Sequence, residues 1–179
     1  VPTDPLSNDR GWFIKFGGAQ NITYEGDLID YMSMVVNNGW NIIGSISSPI
    51  QPSNVYSDPP NIINLPFYRY ESGYVPADVL QPGGGYWVQT SASGHIFLDA
   101  YSQFNGGTQL DLLSYDKFRI VDAEGGTQDL YVRNGTISQT AANIAMPPSP
   151  PDSLFDVRFV SGDFVRTVFP DSGGTLLSI

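Results

Sequence analysis

The chain has 179 residues, of which 18 are acidic and 8 are basic, so its formal net charge is −10, and it contains no cysteine. An acidic surface repels phosphate backbones and anionic lipid, which disfavours nucleic acid and membrane surfaces as partners. The lack of cysteine excludes disulfides, thiolate metal sites and cysteine nucleophiles. Aromatic residues reach 13% while charged residues make up only 15%, with 19 Gly and 14 Pro. This composition is typical of strands and turns.

Alternation of apolar and polar residues predicts strands through the first half of the chain. The expected strands are Trp12–Phe16, Leu28–Val36, Trp40–Ile46, Phe67–Tyr70, Tyr74–Val75, Tyr86–Thr90 and His95–Ala100. The Asn37-Asn38-Gly39 turn predicts a hairpin, because Asn and Gly tolerate the backbone angles of tight turns. The segment Ile50–Pro66 is broken by Pro and Asn, so we expect a long irregular loop there. Pro76–Leu80 is expected to form one helical turn at most.

The second half of the chain has the same character. Lys117–Asp122 and Gln128–Arg133 predict a hairpin, and Phe164–Phe169 and Thr175–Ile179 predict further strands. Ser138–Ala145 is the only stretch that favours a short helix. About a dozen short strands separated by turns indicate an all-β fold. We therefore expect an antiparallel β-sandwich, immunoglobulin-like or jelly-roll-like, or two small β units in series.

A proline-rich segment provides the best internal boundary in the sequence. Met146–Pro151 has the sequence MPPSPP, which is stiff, extended and unable to donate ladder hydrogen bonds. It predicts a larger β-sandwich unit over 1–146, a linker over 147–151 and C-terminal strands over 152–179. Those last strands are expected to complete the sandwich or to pair with a neighbouring subunit.

No stretch approaches the roughly 20 apolar residues of a membrane-spanning helix. The start at Val1 suggests a processed piece of a longer precursor.

The residue types give little sign of catalysis or of a cofactor. His95 is the only histidine, so a two-histidine metal motif is impossible, and His95 is expected to be structural or merely exposed. Asp27 and Asp30 are the nearest carboxylate pair in an ordered-looking segment, but residues three apart on a strand point to opposite faces. The glycines of 83–85 precede a strand and lack a lysine, so they do not form a phosphate-binding loop. We expect no enzyme activity, no metal and no cofactor.

Aromatic side chains are the main candidates for ligand binding. Flat Trp and Tyr rings stack on sugar rings at wet surfaces, which makes five residues candidates for glycan stacking: Tyr68, Tyr70, Tyr74, Trp87 and Tyr101. The alternative, that these rings pack in the core or line a subunit interface, stays open at this point. Asp152-Ser153-Leu154 matches the short pattern that Bacteroidota use for O-glycosylation, so Ser153 is a candidate modification site.

Several segments, taken in order, resemble a known kind of module. They are Gly39–Ser47 (GWNIIGSIS), Phe67–Tyr74, Leu80–Val88 (LQPGGGYWV) and the proline-rich run followed by Phe155–Phe159. Together they resemble a β-rich module of large secreted proteins of Bacteroidota and Ignavibacteria, which lies just before the C-terminal sorting domain of type IX secretion. The resemblance implies an extracellular or outer-surface location. It implies no catalytic residue, since the module is largely uncharacterised.

Two hypotheses for function follow. The first is a non-catalytic structural protein of the cell surface that associates with copies of itself or with other surface proteins, as a fibre or sheath subunit. Strand addition would then use the terminal residues, namely Thr175, Leu176, Leu177, Ser178 and Ile179 at the C-terminus or Val1–Leu6 at the N-terminus. The second is a carbohydrate-binding accessory module of a secreted glycosidase, with polysaccharide as its partner. A small hydrolase is the least favoured alternative.

Overall fold

The computed structural model describes residues 7–14, 16–18, 21, 23, 26–102, 110–135, 143–169 and 177–178. Within these residues the fold is all-β, as predicted, with one short 3-10 turn at Pro52–Asn54. The strands are β1 (Tyr31–Val36), β2 (Gly39–Ile43), β3 (Tyr56–Asp58), β4 (Ile63–Tyr70), β5 (Tyr74–Pro76), β6 (Tyr86–Thr90), β7 (Gly94–Asp99), β8 (Asp116–Val121), β9 (Thr127–Asn134), β10 (Ile144–Ala145), β11 (Arg158–Phe159), β12 (Asp163–Val168) and β13 (Leu177–Ser178). No helix in this part of the chain is long and apolar enough to span a membrane.

The chain divides into two compact units, but not at the proline-rich segment. The first unit comprises Val1–Arg69 and Pro76–Gln109, and the second comprises Tyr70–Val75 and Leu110–Ile179. The segment 147–151, predicted to be a linker, therefore lies inside the second unit. Its carbonyl oxygens are bound there, because the Arg158 guanidinium donates to Pro147 at 3.0 Å and the Tyr74 hydroxyl donates to Pro148 at 2.7 Å. Proline cannot donate a ladder hydrogen bond, but its carbonyl still accepts one.

The first unit contains the antiparallel sheet β1-β7-β3 and most of the antiparallel sheet β2-β6-β4-β5. Alternate residues of both sheets are buried in one core, which includes Met34, Val36, Ile43, Phe67, Val88, Ile96 and Leu98. This arrangement is consistent with the predicted β-sandwich. The last residue of β4 and the first two residues of β5 belong to the second unit.

Three local predictions for the first unit are wrong. The predicted loop Ile50–Pro66 contains β3 and the start of β4, with Val55 and Ile62 buried, and its prolines concealed the strands. The Asn37-Asn38-Gly39 turn closes no hairpin, because β1 and β2 lie in different sheets. Pro76–Leu80, expected to form one helical turn at most, forms none, and Leu80 and Ile50 exchange two backbone hydrogen bonds of 2.8 and 3.0 Å. The described residues of Trp12–Phe16 form no strand, and their side chains are exposed.

The second unit contains a four-stranded sheet of order β10-β12-β9-β8 and a separate pair, β11-β13. The predicted hairpin is confirmed as β8 and β9, with six registered pairs. β9 and β12 run parallel, whereas the other pairs of this unit are antiparallel. Of the predicted helix Ser138–Ala145, residues 138–142 lie outside the described residues, and Ile144–Ala145 form β10. The buried apolar side chains here are Leu130, Met146, Val157, Phe159, Phe164 and Val165.

The short segment Tyr70–Val75 attaches to the second unit through polar contacts. The side-chain amide of Gln128 accepts a hydrogen bond from the Tyr74 N–H and donates one to the Tyr74 carbonyl, both at 2.8 Å. The Thr127 N–H donates to the Ser72 carbonyl at 3.0 Å. Gln128 is buried, and its side-chain amide makes the pair of backbone hydrogen bonds with Tyr74 that a residue of a neighbouring strand would otherwise make.

Candidate functional site

The three-stranded sheet of the first unit has one buried face and one face open to solvent. In β1, Met34 and Val36 are buried, while Tyr31 and Val35 are exposed. The same alternation in β7 buries Ile96 and Leu98 and turns the residues between them outward. Because side chains alternate across a strand, the odd-numbered residues of β1 and β7 share the outer face. They are Tyr31, Ser33 and Val35 with His95, Phe97 and Asp99.

The register of the sheet brings four of the outward rings together. β7 is the central strand, and Phe97 lies opposite Ser33 of β1 on one side and Tyr56 of β3 on the other. Tyr31 lies opposite Asp99, and His95 lies opposite Asp58. Residues paired across antiparallel strands have neighbouring side chains on the same face. We call the set Tyr31, Tyr56, His95 and Phe97 the aromatic face.

Three rings of the aromatic face are stacked against Phe97. The centroid of Phe97 is 4.9 Å from that of Tyr56, with an angle of 13° between the planes. Tyr31 lies at 6.3 Å and 29°, and His95 lies at 6.2 Å and 25°. Offset stacking of this kind stabilises aromatic pairs beyond the area they bury. Tyr31 nevertheless remains 54% exposed, so the row of rings is open to solvent.

Polar groups surround the rings. Tyr31 and Tyr56 influence each other electrostatically across the central strand. Burial, followed by electrostatic interaction with Tyr31 and Asp99, raises the pKa of Tyr56 above its ordinary value. The hydroxyl of Tyr56 therefore stays protonated and able to donate. At the margin, the Tyr101 N–H donates to the Asp99 carboxylate at 2.9 Å, and the Tyr101 hydroxyl donates to Asp30 at 3.3 Å.

No protein family, no curated protein and no solved structure matches this chain. The chemistry of the aromatic face is therefore the available guide to function. Its rings offer apolar contact, its tyrosine hydroxyls can donate and accept, and its carboxylates accept hydrogen bonds. Asp58 and Asp99 also give the face negative charge, which repels anionic ligands. Among the residues described, no three His, Asp or Glu side chains are grouped so that they could hold a metal ion.

The five rings predicted to stack on glycans are scattered. Tyr68 and Tyr74 are each 1% exposed, so neither can present a ring to a ligand, and this part of the prediction is wrong. Tyr70 is half-buried, and its hydroxyl donates to the Phe155 carbonyl at 2.8 Å. Trp87 is half-buried and packs edge-on against Trp40 at 6.5 Å. Tyr101 is 75% exposed and lies beside the aromatic face.

The aromatic face is not predicted from the sequence. His95 and Phe97 lie in a predicted strand, and their outward direction follows from the burial of Ile96 and Leu98. Tyr56 lies in the segment predicted to be an irregular loop, so its strand was not expected. Phe97 and Tyr31 are far apart in sequence and meet only through the register of β1 and β7, which no local pattern specifies.

The remaining predicted site residues lie in the second unit. Ser153 is exposed, with a positive φ of 72°, at the end of the proline-rich segment. In β13, Leu177 and Ser178 pair with Phe159 and Arg158 of the same chain. Of the other residues predicted to exchange between subunits, Thr175, Leu176, Ile179 and Val1–Leu6 lie outside the described residues.

Proposed function

We propose that this chain is a non-catalytic module that binds neutral polysaccharide through the aromatic face. The observation that carries this proposal is a row of stacked rings on the open side of a sheet, with carboxylates at its margin. The row spans three strands, about 10 Å at ordinary strand spacing. That length suits a short run of sugar units rather than a single small molecule.

Each feature of the face has a role in this proposal. The apolar C–H faces of pyranose rings pack on aromatic side chains. Sugar hydroxyls donate to the carboxylates of Asp58 and Asp99 and exchange hydrogen bonds with the Tyr31 hydroxyl. The same carboxylates disfavour uronates and sulfated glycans, because like charges repel. The proposed ligand is therefore an uncharged glycan.

The location proposed for this module is extracellular or on the outer cell surface. Polysaccharides are abundant in that location. The resemblance to the module that precedes type IX sorting domains implies the same location. In this proposal the chain supplies attachment, and any hydrolysis of the glycan belongs to another protein or domain.

Affinity electrophoresis and calorimetry with a panel of glycans test the proposal. The panel contains neutral polymers (cellulose oligomers, xylan, laminarin, mannan) and anionic ones (polygalacturonate, alginate). We expect retention by at least one neutral glycan and at least tenfold weaker binding by Tyr31→Ala. Phe118→Ala is the matched control, because Phe118 of β8 is similarly exposed but belongs to the second unit. Absence of retention on every glycan, or equal binding by wild type and Tyr31→Ala, would contradict the proposal.

Self-association as a structural subunit is a second candidate, favoured by a different observation. The N-terminal segment exposes Trp12, Ile14 and Phe16 in close succession, and exposed apolar clusters of this kind mark protein interfaces. Exchange of the C-terminal strand would first require release of the β11–β13 pairing. Sedimentation velocity over a wide concentration range tests this candidate. Polymers that form with the wild type, but not with the variant in which all three residues are replaced by Ser, would support self-association. A strict monomer at high concentration would contradict it.

A further inference from the structure

Within the described residues, β8 is the edge strand of the sheet in the second unit and has a neighbouring strand, β9, on one side only. The Asp122 N–H donates to the Gly126 carbonyl at 3.0 Å, so residues 116, 118 and 120 direct their backbone groups toward β9. The backbone groups of Lys117, Arg119 and Val121 therefore point away from the sheet. No strand of the described chain pairs with them.

The usual protections of an edge strand are weak in β8. Native edges are commonly protected by proline, by bulges or by charged side chains, lysine in particular. β8 has the sequence DKFRIV, with neither proline nor glycine, and its register with β9 is unbroken over six pairs. Its two basic side chains form ion pairs with β9, because the Asp129 carboxylate lies 2.7 Å from Arg119 and 3.5 Å from Lys117. On the opposite face Phe118 is 53% exposed.

We propose that the open edge of β8 docks an extended polypeptide segment with alternating apolar and acidic residues, which adds as a fifth strand. The unpaired backbone groups require an extended chain. Phe118 and Ile120 offer apolar contacts on one face. On the other face Lys117 and Arg119 share a single carboxylate, which leaves an excess positive charge within a chain of net charge −10.

Charge also distinguishes this occupant from a second copy of the chain. Antiparallel pairing of two β8 strands about Phe118 would place Lys117 of one copy opposite Arg119 of the other. Like charges directly opposite one another destabilise a strand pair. A partner strand with Asp or Glu on that face gains the opposite interaction, so the edge favours a different polypeptide.

A polar pocket at the start of β8 adds specificity. It has a volume of about 380 Å³ and is lined by Ser114, Tyr115, Asp116, Val132, Arg133 and Asn134. In strand addition, main-chain hydrogen bonds provide affinity and pockets for side chains provide specificity. The pocket lies at the Asp116 end of the β8–β9 pair, and in this proposal it receives a polar side chain from the end of the added strand.

Three displayed peptide libraries of ten residues, panned on the full chain, test the proposal. One library alternates apolar residues with Asp or Glu, the second replaces the acids by Lys or Arg, and the third is the acidic library with a central proline. We expect enrichment from the acidic library alone. Hydrogen exchange at the amides of Lys117, Arg119 and Val121 should slow when an enriched peptide is bound.

Two variants connect the binding to β8. Phe118→Ala should weaken the binding of an enriched peptide at least tenfold. The double variant Lys117→Glu, Arg119→Glu should bind peptides of the basic library in preference to those of the acidic library. Tyr31→Ala is the matched control and should bind like wild type. The proposal is overturned if the acidic library is not enriched over the basic one, or if enriched peptides bind both variants as tightly as wild type. The result is independent of glycan binding, which depends on residues of the first unit.

Discussion

The buried amide of Gln128 provides the sharpest test of how the second unit is held together. Its Oε1 accepts from the Tyr74 N–H at 2.8 Å, and its Nε2 donates to the carbonyls of Tyr74 at 2.8 Å and Asp129 at 2.9 Å. Gln128→Leu preserves the approximate volume of the side chain and removes all three hydrogen bonds. The backbone of Tyr74 then loses both partners that this amide supplies.

The expected loss in the free energy of unfolding follows from the burial of these polar groups. A buried polar group that loses its partner costs roughly 1–3 kcal/mol, and two groups of Tyr74 are affected. The added apolar burial of leucine returns about 1–2 kcal/mol. The difference between these ranges is centred on a net loss of about 2–3 kcal/mol, against the roughly 5–15 kcal/mol that stabilises a typical domain. Gln51→Leu is the control, because Gln51 is exposed, and its stability should change by less than about 0.5 kcal/mol.

The probe must report on the second unit. Trp12, Trp40 and Trp87, the only tryptophans, all belong to the first unit, so tryptophan emission is unsuitable. Urea unfolding followed by hydrogen-exchange mass spectrometry of peptides within 116–134 measures the free energy of unfolding where Gln128 lies. If Gln128→Leu unfolds at the same urea concentration as wild type, the three hydrogen bonds do not stabilise the attachment of Tyr70–Val75, and the reasoning is wrong.

Two further predictions concern the same unit. Hydrogen bonding to Arg119 holds the pKa of Asp129 below its ordinary value, so the stabilisation is complete above about pH 4 and is lost as the pH falls through the depressed pKa. Asp129→Asn should therefore show a smaller fall in urea midpoint between pH 5 and pH 3 than wild type, and an equal fall would contradict this. A Cβ at Gly73 would lie 2.1 Å from the Thr127 carbonyl oxygen, so Gly73→Ala should lower the free energy of unfolding by about 1–3 kcal/mol. Gly26→Ala is the control, because no atom of the described residues, apart from its chain neighbours, lies within 4 Å of a Cβ there; similar midpoints for the two variants would refute the steric argument.

The prediction of domains failed for a specific reason. A run of prolines is a fair sign of a linker, because it is extended and cannot donate hydrogen bonds. In the folded chain the carbonyls of Pro147 and Pro148 are bound by Arg158 and by Tyr74. Tyr74 precedes them by more than 70 residues, so local composition could not indicate that the run is held within a unit.

The sequence by itself determined the all-β class and most individual strands. Alternation and turn residues suffice for this, because they depend on neighbours within a few positions. The β8–β9 hairpin and the strands around Tyr86 and Ile96 follow from such patterns. Trp12–Phe16 shows their limit, since its described residues are apolar and exposed but form no strand.

Only the tertiary structure decided which aromatic rings are accessible. Tyr68 and Tyr31 both lie in strands rich in aromatic and apolar residues, yet Tyr68 is buried and Tyr31 is exposed. Alternation indicates which residues share a face of a strand, but it does not indicate which face another sheet covers. That choice, and the register that places Tyr31, Phe97 and Tyr56 side by side, depends on contacts between strands distant in sequence.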